Sequence, residues 1–264
     1  VIKKVSQPPS IDGNGNDGAW DGVESMRVYR PICLDISGTS QWGCPHDIGS
    51  EDDCSGDFKA VWDDDNFYFF VSVKDDSKKA DNRSPTRKYD WQDDGVEIIM
   101  GVDGYFTPNY TPWISCWRFA FGYNFFMEIG HSTSGPTTSK FYKEGVEYNF
   151  VSTNDGYDME MKIPMRSALL KPEHNHFVAL EVLIADDDDG GNGEGKVAWN
   201  DTKVQDRGRG PTKGIGKLVD PSVAPVGIGT IPSGMHTETK IGYTRSTGRV
   251  TVENIPLGGA TVSL

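Results

Sequence analysis

Carboxylates and aromatic rings carry most of the chemical potential of this chain. The stretch YDWQDDGVEIIM, Tyr89 to Met100, sets Trp91 six positions before Glu97. Val96, Glu97, Ile98, Ile99 and Met100 read as a buried strand. A carboxylate there needs a reason, because burying a charge is costly without a partner. An indole offers a flat apolar face on which the C–H side of a sugar ring can stack. Carboxylate, guanidinium and amide groups hold sugar hydroxyls, and the charge-assisted bonds are the strong ones. Trp91, Trp113 and Trp117, with Tyr105 and Tyr110, lie in or beside predicted loops. Trp20, Trp62 and Trp199 sit in or next to apolar strand patterns and are expected to plug the core.

Acidic runs are the second chemical feature: Asp63 to Asp65, Asp75 with Asp76, Asp93 with Asp94, and Asp186 to Asp189. Oxygen-rich loops of this kind suit hard cations such as Ca²⁺, and the same residues also serve as solvated turns. Nucleophilic catalysis has no support, since neither GxSxG nor HExxH occurs. Only His174 and His176 lie close together, in the predicted loop PEHNHF. Carboxylate pairs of the glycosidase kind arise by chance in a chain of net charge −13, and one small sandwich lacks a glycosidase cleft, so no enzyme is expected. The acidic balance also argues against nucleic acid, which needs basic patches, and against an anionic membrane surface. No stretch approaches the ~20 apolar residues of a membrane span.

Cys33, Cys44, Cys54 and Cys116 include no CxxC pair and lack zinc-ligand spacing. Disulfides in an exported protein are expected instead, with Cys44–Cys54 and Cys33–Cys116 the anticipated pairing. Val1 opens a polar segment without a signal-peptide pattern, as in a mature or trimmed chain.

The elements that must position these groups are strands. Thirty-one Gly and fifteen Pro in 264 residues imply many turns, and 11% aromatics argue against disorder despite 36% apolar content. FKAVWD and NFYFFVSVKD flank the turn DDDN, the pattern of an antiparallel hairpin. Phe67, Phe69, Val71 and Val73 alternate with Tyr68, Phe70 and Ser72, so both faces of that strand are largely apolar and it belongs inside a sandwich. Tyr157, Met159, Met161 and Ile163 alternate with Asp158, Glu160 and Lys162, a half-exposed strand. One helical turn is expected at PMRSALL, after Pro164. The fold expected is all-β: a two-sheet antiparallel β-sandwich over 1–220, a Pro/Gly linker over 221–235, and a strand-rich tail over 236–264 turning near Ser246-Thr247-Gly248.

PPSIDGNGNDGAWDG (Pro8 to Gly22) resembles the opening of family-nine carbohydrate-binding modules, a jelly-roll-like β-sandwich group related to the DOMON superfamily. VWDDDNFYFFVSVKDD, WQDDGVEIIM, GYDMEMKIP, DDDDGGNGEGKVAWND and GIGKLV are similar to its later signatures, in the same order, over about residues 6 to 220. The resemblance implies that Trp91 stacks on a terminal sugar and that Glu97 bonds its hydroxyls. It implies Arg118 as the neighbouring-strand arginine and Asn200 as a polar group near the ligand. The family holds its sugar between two tryptophans. Here the loop that would carry the second, NDTKVQDRGRGPTKG, has no aromatic, so Trp113, Trp117 or Tyr110 would have to supply it. Structural calcium is implied as well, with Asp75, Asp76, Asp186, Asp187 and Asp188 as ligand candidates.

The tail KIGYTRSTGRVTVENIPLGGATVSL is similar to the start of Bacteroidetes-type C-terminal sorting domains, without the Y-D-x-x-G-R strand that usually follows. The function expected is a secreted or surface-held, non-catalytic protein that recognises plant-type polysaccharide or its chain ends. A second reading is an adhesin or filament subunit whose tail strand adds to a neighbour's sheet edge. A lesser one is haem binding through Met100, Met127, His131 or His176, as in DOMON relatives. Glu97 itself has two outcomes: a ligand contact on an open face, or a structural ion pair with Arg118 on a filled one.

Overall fold

The computed structural model describes residues 1–32, 48–78, 94–101, 116–122, 126–130, 145–165, 173–188, 195–200, 214–223, 239–244 and 249–254. For 99, 101, 116–122, 126–130, 179, 239–244 and 249–254 the description is of the backbone. Two compact units divide the chain, Val1–Pro221 and Ser222–Leu264.

The first unit is built on β-hairpins. β4 (Cys54–Trp62) and β5 (Asn66–Asp75) pair antiparallel from Trp62↔Phe67 to Cys54↔Asp75. Asp63 makes the turn between them: its Oδ1 accepts the N–H groups of Asp65 (2.8 Å) and Asn66 (2.7 Å), and its Oδ2 accepts the Tyr68 hydroxyl (2.6 Å). A side chain that caps its own turn in this way is what an Asp-rich hairpin loop supplies. β10 (Gly156–Pro164) lines up along the other side of β5, and β9 (Glu147–Thr153) follows as the edge.

The second sheet is centred on β11 (Phe177–Asp186). β6 (Gly95–Gly101), β7 (Cys116–Gly122) and β8 (Phe126–Gly130) extend it on one side. On the other side β12 (Gly195–Ala198) and β13 (Gly214–Val219) share the length of β11. β3 (Arg30–Ile32) pairs with β12, and β2 (Met26–Val28) pairs with β4. Pairing is antiparallel except at β1 (Ile2–Lys4), which lies parallel to both β13 and β4 and joins the two sheets into one continuous ladder. Three residues carry too little pattern for that seam to be anticipated.

Alternate residues of the two sheets meet in the core. Phe58, Phe67, Phe69, Val71, Met159, Met161 and Ile163 face Val96, Ile98, Met100, Val178, Leu180, Val182 and Ile184, all fully or almost fully buried. Burial of each such side chain contributes about 1.5–3 kcal/mol. Met100, considered above as a haem ligand, is one of these packed residues. Met127 and His131 lie outside the described side chains.

The outer face of β5 is apolar because the N-terminal segment covers it. A 3₁₀ turn, Gly18–Trp20, delivers Trp20 onto Val61 and Tyr68, with Val5, Ile11, Val23 and Phe70 around it. Trp20 is therefore buried outside the sandwich, whereas Trp62 lies inside it. Glu160, expected on a half-exposed face, is buried beneath this segment. It accepts Trp20 Nε1–H (2.8 Å) and the N–H groups of Asp12 (3.0 Å) and Gly13 (2.9 Å). Gly15 has φ +59°, and any Cβ there would run into the Phe70 ring, so glycine is required. The turn expected at PMRSALL falls almost wholly in 166–172, outside the described residues.

In the second unit β14 (Thr239–Thr244) and β15 (Arg249–Asn254) form an antiparallel hairpin, Thr244↔Arg249 to Thr239↔Asn254. No helix among the described residues is long and apolar enough to cross a membrane.

Candidate functional site

Strand alternation puts Glu97 on the face of β6 turned away from the core, since Val96, Ile98 and Met100 point inward. In register, Glu97 lies opposite Leu183 of β11 and Ala120 of β7. Leu183 lies opposite Ala198 of β12, and Ala198 opposite Arg30 of β3. One row of the outer face thus runs from β7 to β3. Strands spaced about 4.8 Å apart put Arg30 about 14 Å from Glu97 along it.

Glu97, Lys196 and Glu181 on this face are buried and satisfied. Glu97 is 3% exposed and Lys196 is 1% exposed, and Lys196 Nζ forms an ion pair with Glu97 Oε1. Glu181, 0% exposed, accepts the Asn200 N–H at 2.8 Å. The Asn200 carbonyl in turn accepts Arg30 Nη1–H at 3.4 Å. Leu183, Ala198 and Ile32 fill the space between as a small apolar cluster. Trp199 anchors the strand end: its N–H donates to Val182 O (3.0 Å), its ring stands edge-on to Phe58 (5.3 Å), and Gly214 passes beneath it.

A second acidic group gathers at the ends of β5 and β11. Asp75, Asp94, Asp186 and Asp187 are buried there. Asp94 Oδ1 accepts the Asp187 N–H (2.8 Å), Asp75 Oδ1 accepts the Ser77 N–H (2.9 Å), and Ser77 Oγ–H donates to Asp188 O (3.1 Å). Burial pushes the Asp75 carboxyl above the ordinary aspartate range, opposed by its bonds to Ser77 and Asp94. Carboxylate oxygens of Asp53, Asp76 and Asp188 lie within 4.8 Å of one another. An all-oxygen set with this much negative charge fits a hard cation such as Ca²⁺, which would offset the mutual repulsion. A second trio, Asp12, Asp17 and Glu160, also brings carboxylates together. Its oxygens are committed to the N-terminal segment: Glu160 as described, and Asp17 to Ser10 N–H (3.1 Å) and Oγ–H (3.4 Å).

The family model for carbohydrate family 9 binding domain-like proteins matches residues 11–213. The chain belongs to this family. Endo-1,4-beta-xylanase A of Thermotoga neapolitana is 26% identical over 194 residues, which is 73% of this chain and 15% of that protein. The chain therefore spans under a sixth of that relative's length. Two solved structures of a family 9 module from Caldicellulosiruptor kristjanssonii share its fold. The glucose complex has TM-score 0.58 at 20% identity, covering 85% of this chain and 99% of that one. The cellotriose complex has TM-score 0.59 at 21% identity, covering 86% and 98%. A putative carbohydrate-binding protein from Bacteroides uniformis has TM-score 0.55 at 13% identity, covering 83% and 97%.

Among the family 9 positions singled out from sequence, Glu97 and Asn200 come to the same sheet face. Lys196 forms an ion pair with Glu97, and the Arg118 side chain lies outside the described residues. Arg118 stands opposite Ile99, one diagonal step from Glu97. Lys196 was not singled out, although its alternation with Ala198 and Asn200 in KVAWN could have flagged it. Trp117 lies in register opposite the core residue Met100, while Trp91 and Trp113 fall outside the described residues. All five metal candidates, Asp75, Asp76, Asp186, Asp187 and Asp188, lie in the acidic group, which Asp53 and Asp94 extend.

The cysteine expectation needs correction at Cys54, whose thiol is free and buried. It opens β4 facing the acidic group rather than a second cysteine. Burial first, and then the charges of Asp186, Asp75 and Asp94, push this thiol well above its ordinary pKa. The Cys44–Cys54 pairing is not formed. Cys33 and Cys44 lie outside the described residues, and Cys116 is described in backbone alone.

Proposed function

We propose that this chain binds oligo- or polysaccharide without catalysis, outside the cell, through the outer face of β6, β7, β11 and β12. The observation that carries the reading is the row of buried, mutually satisfied polar groups on that face: Glu97 with Lys196, and Glu181 with Asn200. Sheets do not bury charge on an outer face for stability alone, because an apolar pair of equal volume would serve as well. In this reading Arg118 and Asn200 take sugar hydroxyls, the buried Glu97–Lys196 pair positions the strands that carry them, and Trp91 supplies the stacking ring, with Trp113 or Trp117 as a second aromatic. Support comes from family membership and from the relatives whose structures hold glucose and cellotriose. Ca²⁺ at Asp53, Asp75, Asp76, Asp94 and Asp186 to Asp188 would hold the β5 and β11 ends together. Its place is structural.

Titration calorimetry with cello- and xylo-oligosaccharides tests the reading. Saturable binding by the wild type, lost in Trp91→Ala and Glu97→Gln, is the expected result. Absence of binding to soluble and insoluble polysaccharides alike would sink it. A second reading, self-assembly through the tail, draws on the β14–β15 hairpin. Two strands alone are marginally stable in water, and a partner sheet edge would complete them. The tail's likeness to sorting domains would place the protein at the cell surface. A sedimentation pattern of strict monomer at all concentrations would exclude assembly.

A further inference from the structure

Next to Asn200 the outer face stops being buried. Tyr29 is 41% exposed, and Arg30 and Pro31 beside it are exposed too. The Arg30 guanidinium lies 6.0 Å from the centre of the Tyr29 ring and touches the Asn200 carbonyl through Nη1–H. A guanidinium has five N–H donors in a rigid fork, and one of them is engaged here. The other arginine whose side chain is described shows the usual arrangement. Arg27 is held by two carboxylates, Asp57 at 2.7 Å and Glu51 at 2.8 Å. Arg30 has no carboxylate partner among the described residues, in a chain with thirteen more acidic than basic side chains. It is fixed instead by a ring and a carbonyl, which orient the fork while leaving its donors to solvent. The neighbouring charges do not compete for it: Glu97 is neutralised by Lys196, and Glu181 is buried against the Asn200 N–H.

We propose that Arg30, steadied by Tyr29, is a specificity-determining residue that takes the carboxylate of an acidic sugar unit on the bound glycan. The inference rests on the carbohydrate-binding reading above and deepens it. The ligand class becomes a uronate-bearing polysaccharide. A planar fork matches a carboxylate through two parallel hydrogen bonds, which a neutral hydroxyl cannot reproduce. The separation of about 14 Å between Glu97 and Arg30 along the register row exceeds one sugar ring. Arg30 therefore stands more than one sugar ring from the buried Glu97–Lys196 pair, at the exposed end of the row.

The test compares a glucuronate-substituted xylo-oligosaccharide with the unsubstituted oligosaccharide of equal length by calorimetry, at low and high salt. The wild type is expected to prefer the acidic form by about tenfold, a charge-assisted bond's worth at an exposed site. In Arg30→Gln the preference should collapse to near one, while Arg30→Lys should restore part of it. Arg30 is at the surface, and a melting temperature equal to the wild type's confirms that each variant is folded. Equal affinity of the wild type for the two oligosaccharides overturns the inference and leaves the carbohydrate reading standing. Failure to bind either one removes both. An acidic peptide that binds as tightly, and as dependently on Arg30, would show a protein rather than a glycan as the partner and also overturns it.

Discussion

Replacing Lys196 with Met would take a buried positive charge away from the Glu97 carboxylate. Both side chains are almost wholly out of water, so little of the lost interaction can be recovered by solvent. Removing one member of such a pair costs about 3–5 kcal/mol. The Val1–Pro221 unit has 221 residues. At about 2.1 cal/mol/K per residue its unfolding entropy is about 0.46 kcal/mol/K, so the melting temperature should fall by about 7–11 °C. Glu97→Leu should be damaging for the converse reason, because it strands the ammonium. The double variant, Lys196→Met with Glu97→Leu, removes both charges and fills the space with apolar atoms. It should return to within about 2 kcal/mol of the wild type. Urea unfolding of all four proteins closes a double-mutant cycle whose coupling energy should reach about 2 kcal/mol or more. If Lys196→Met lost less than about 0.5 kcal/mol, the size of an ordinary surface change, the buried-pair reasoning would be wrong. A double variant as unstable as the sum of its parents would refute it equally.

Two further predictions concern the acidic residues. Chelation should lower the melting temperature, and added Ca²⁺ should raise it by linkage, about 2.7 kcal/mol at a hundredfold excess over Kd; Asp188→Asn should blunt the response, and a melting curve indifferent to both additions would remove the proposed cation. Asp158 lies on the outer face of β10, where burial raises its carboxyl above the ordinary aspartate range and a bond to Ser72 opposes this. A raised folded-state value contributes stability that is present below the unfolded value of 3.8 and lost as pH rises through the folded one. Asp158→Asn should therefore be more stable than the wild type near neutral pH, with the gain vanishing in acid. Thermal melts across that pH range would contradict this if the two curves stayed parallel.

Long alternations were legible from sequence. The β4–β5 hairpin, its Asp63 turn and the inward set Tyr157, Met159, Met161 and Ile163 follow from period-two patterning and turn chemistry. Partnerships across long sequence separations were not legible. Lys196 meets Glu97 from 99 residues away, and no local rule points to it. Glu160 looked solvent-facing because alternation assigns a side of the sheet, not what lies over that side. The covering segment arrives from residues 10 to 23 and uses Glu160 as its latch. Cys54 misled for a similar reason: cysteine counting gives the number of possible pairings, while the thiol's surroundings are set by where β5 and β11 end.

The parallel seam at β1 has a kinetic consequence. Ile2 pairs with Leu218, 216 residues further along, and Lys3 with Val61. The ladder to β4 needs only residues up to 62, but the ladder to β13 cannot close until residues 218 and 219 exist, so β1 is fully placed only then. Strand β1 is therefore translated long before it can be fully placed, and its docking on β13 is a final, non-local step of the kind that makes folding slow. Until then the edge of β1 that β13 will fill stays open to solvent, ready to accept any other strand. The seam at β1 thus stays incomplete until residue 219 has been made.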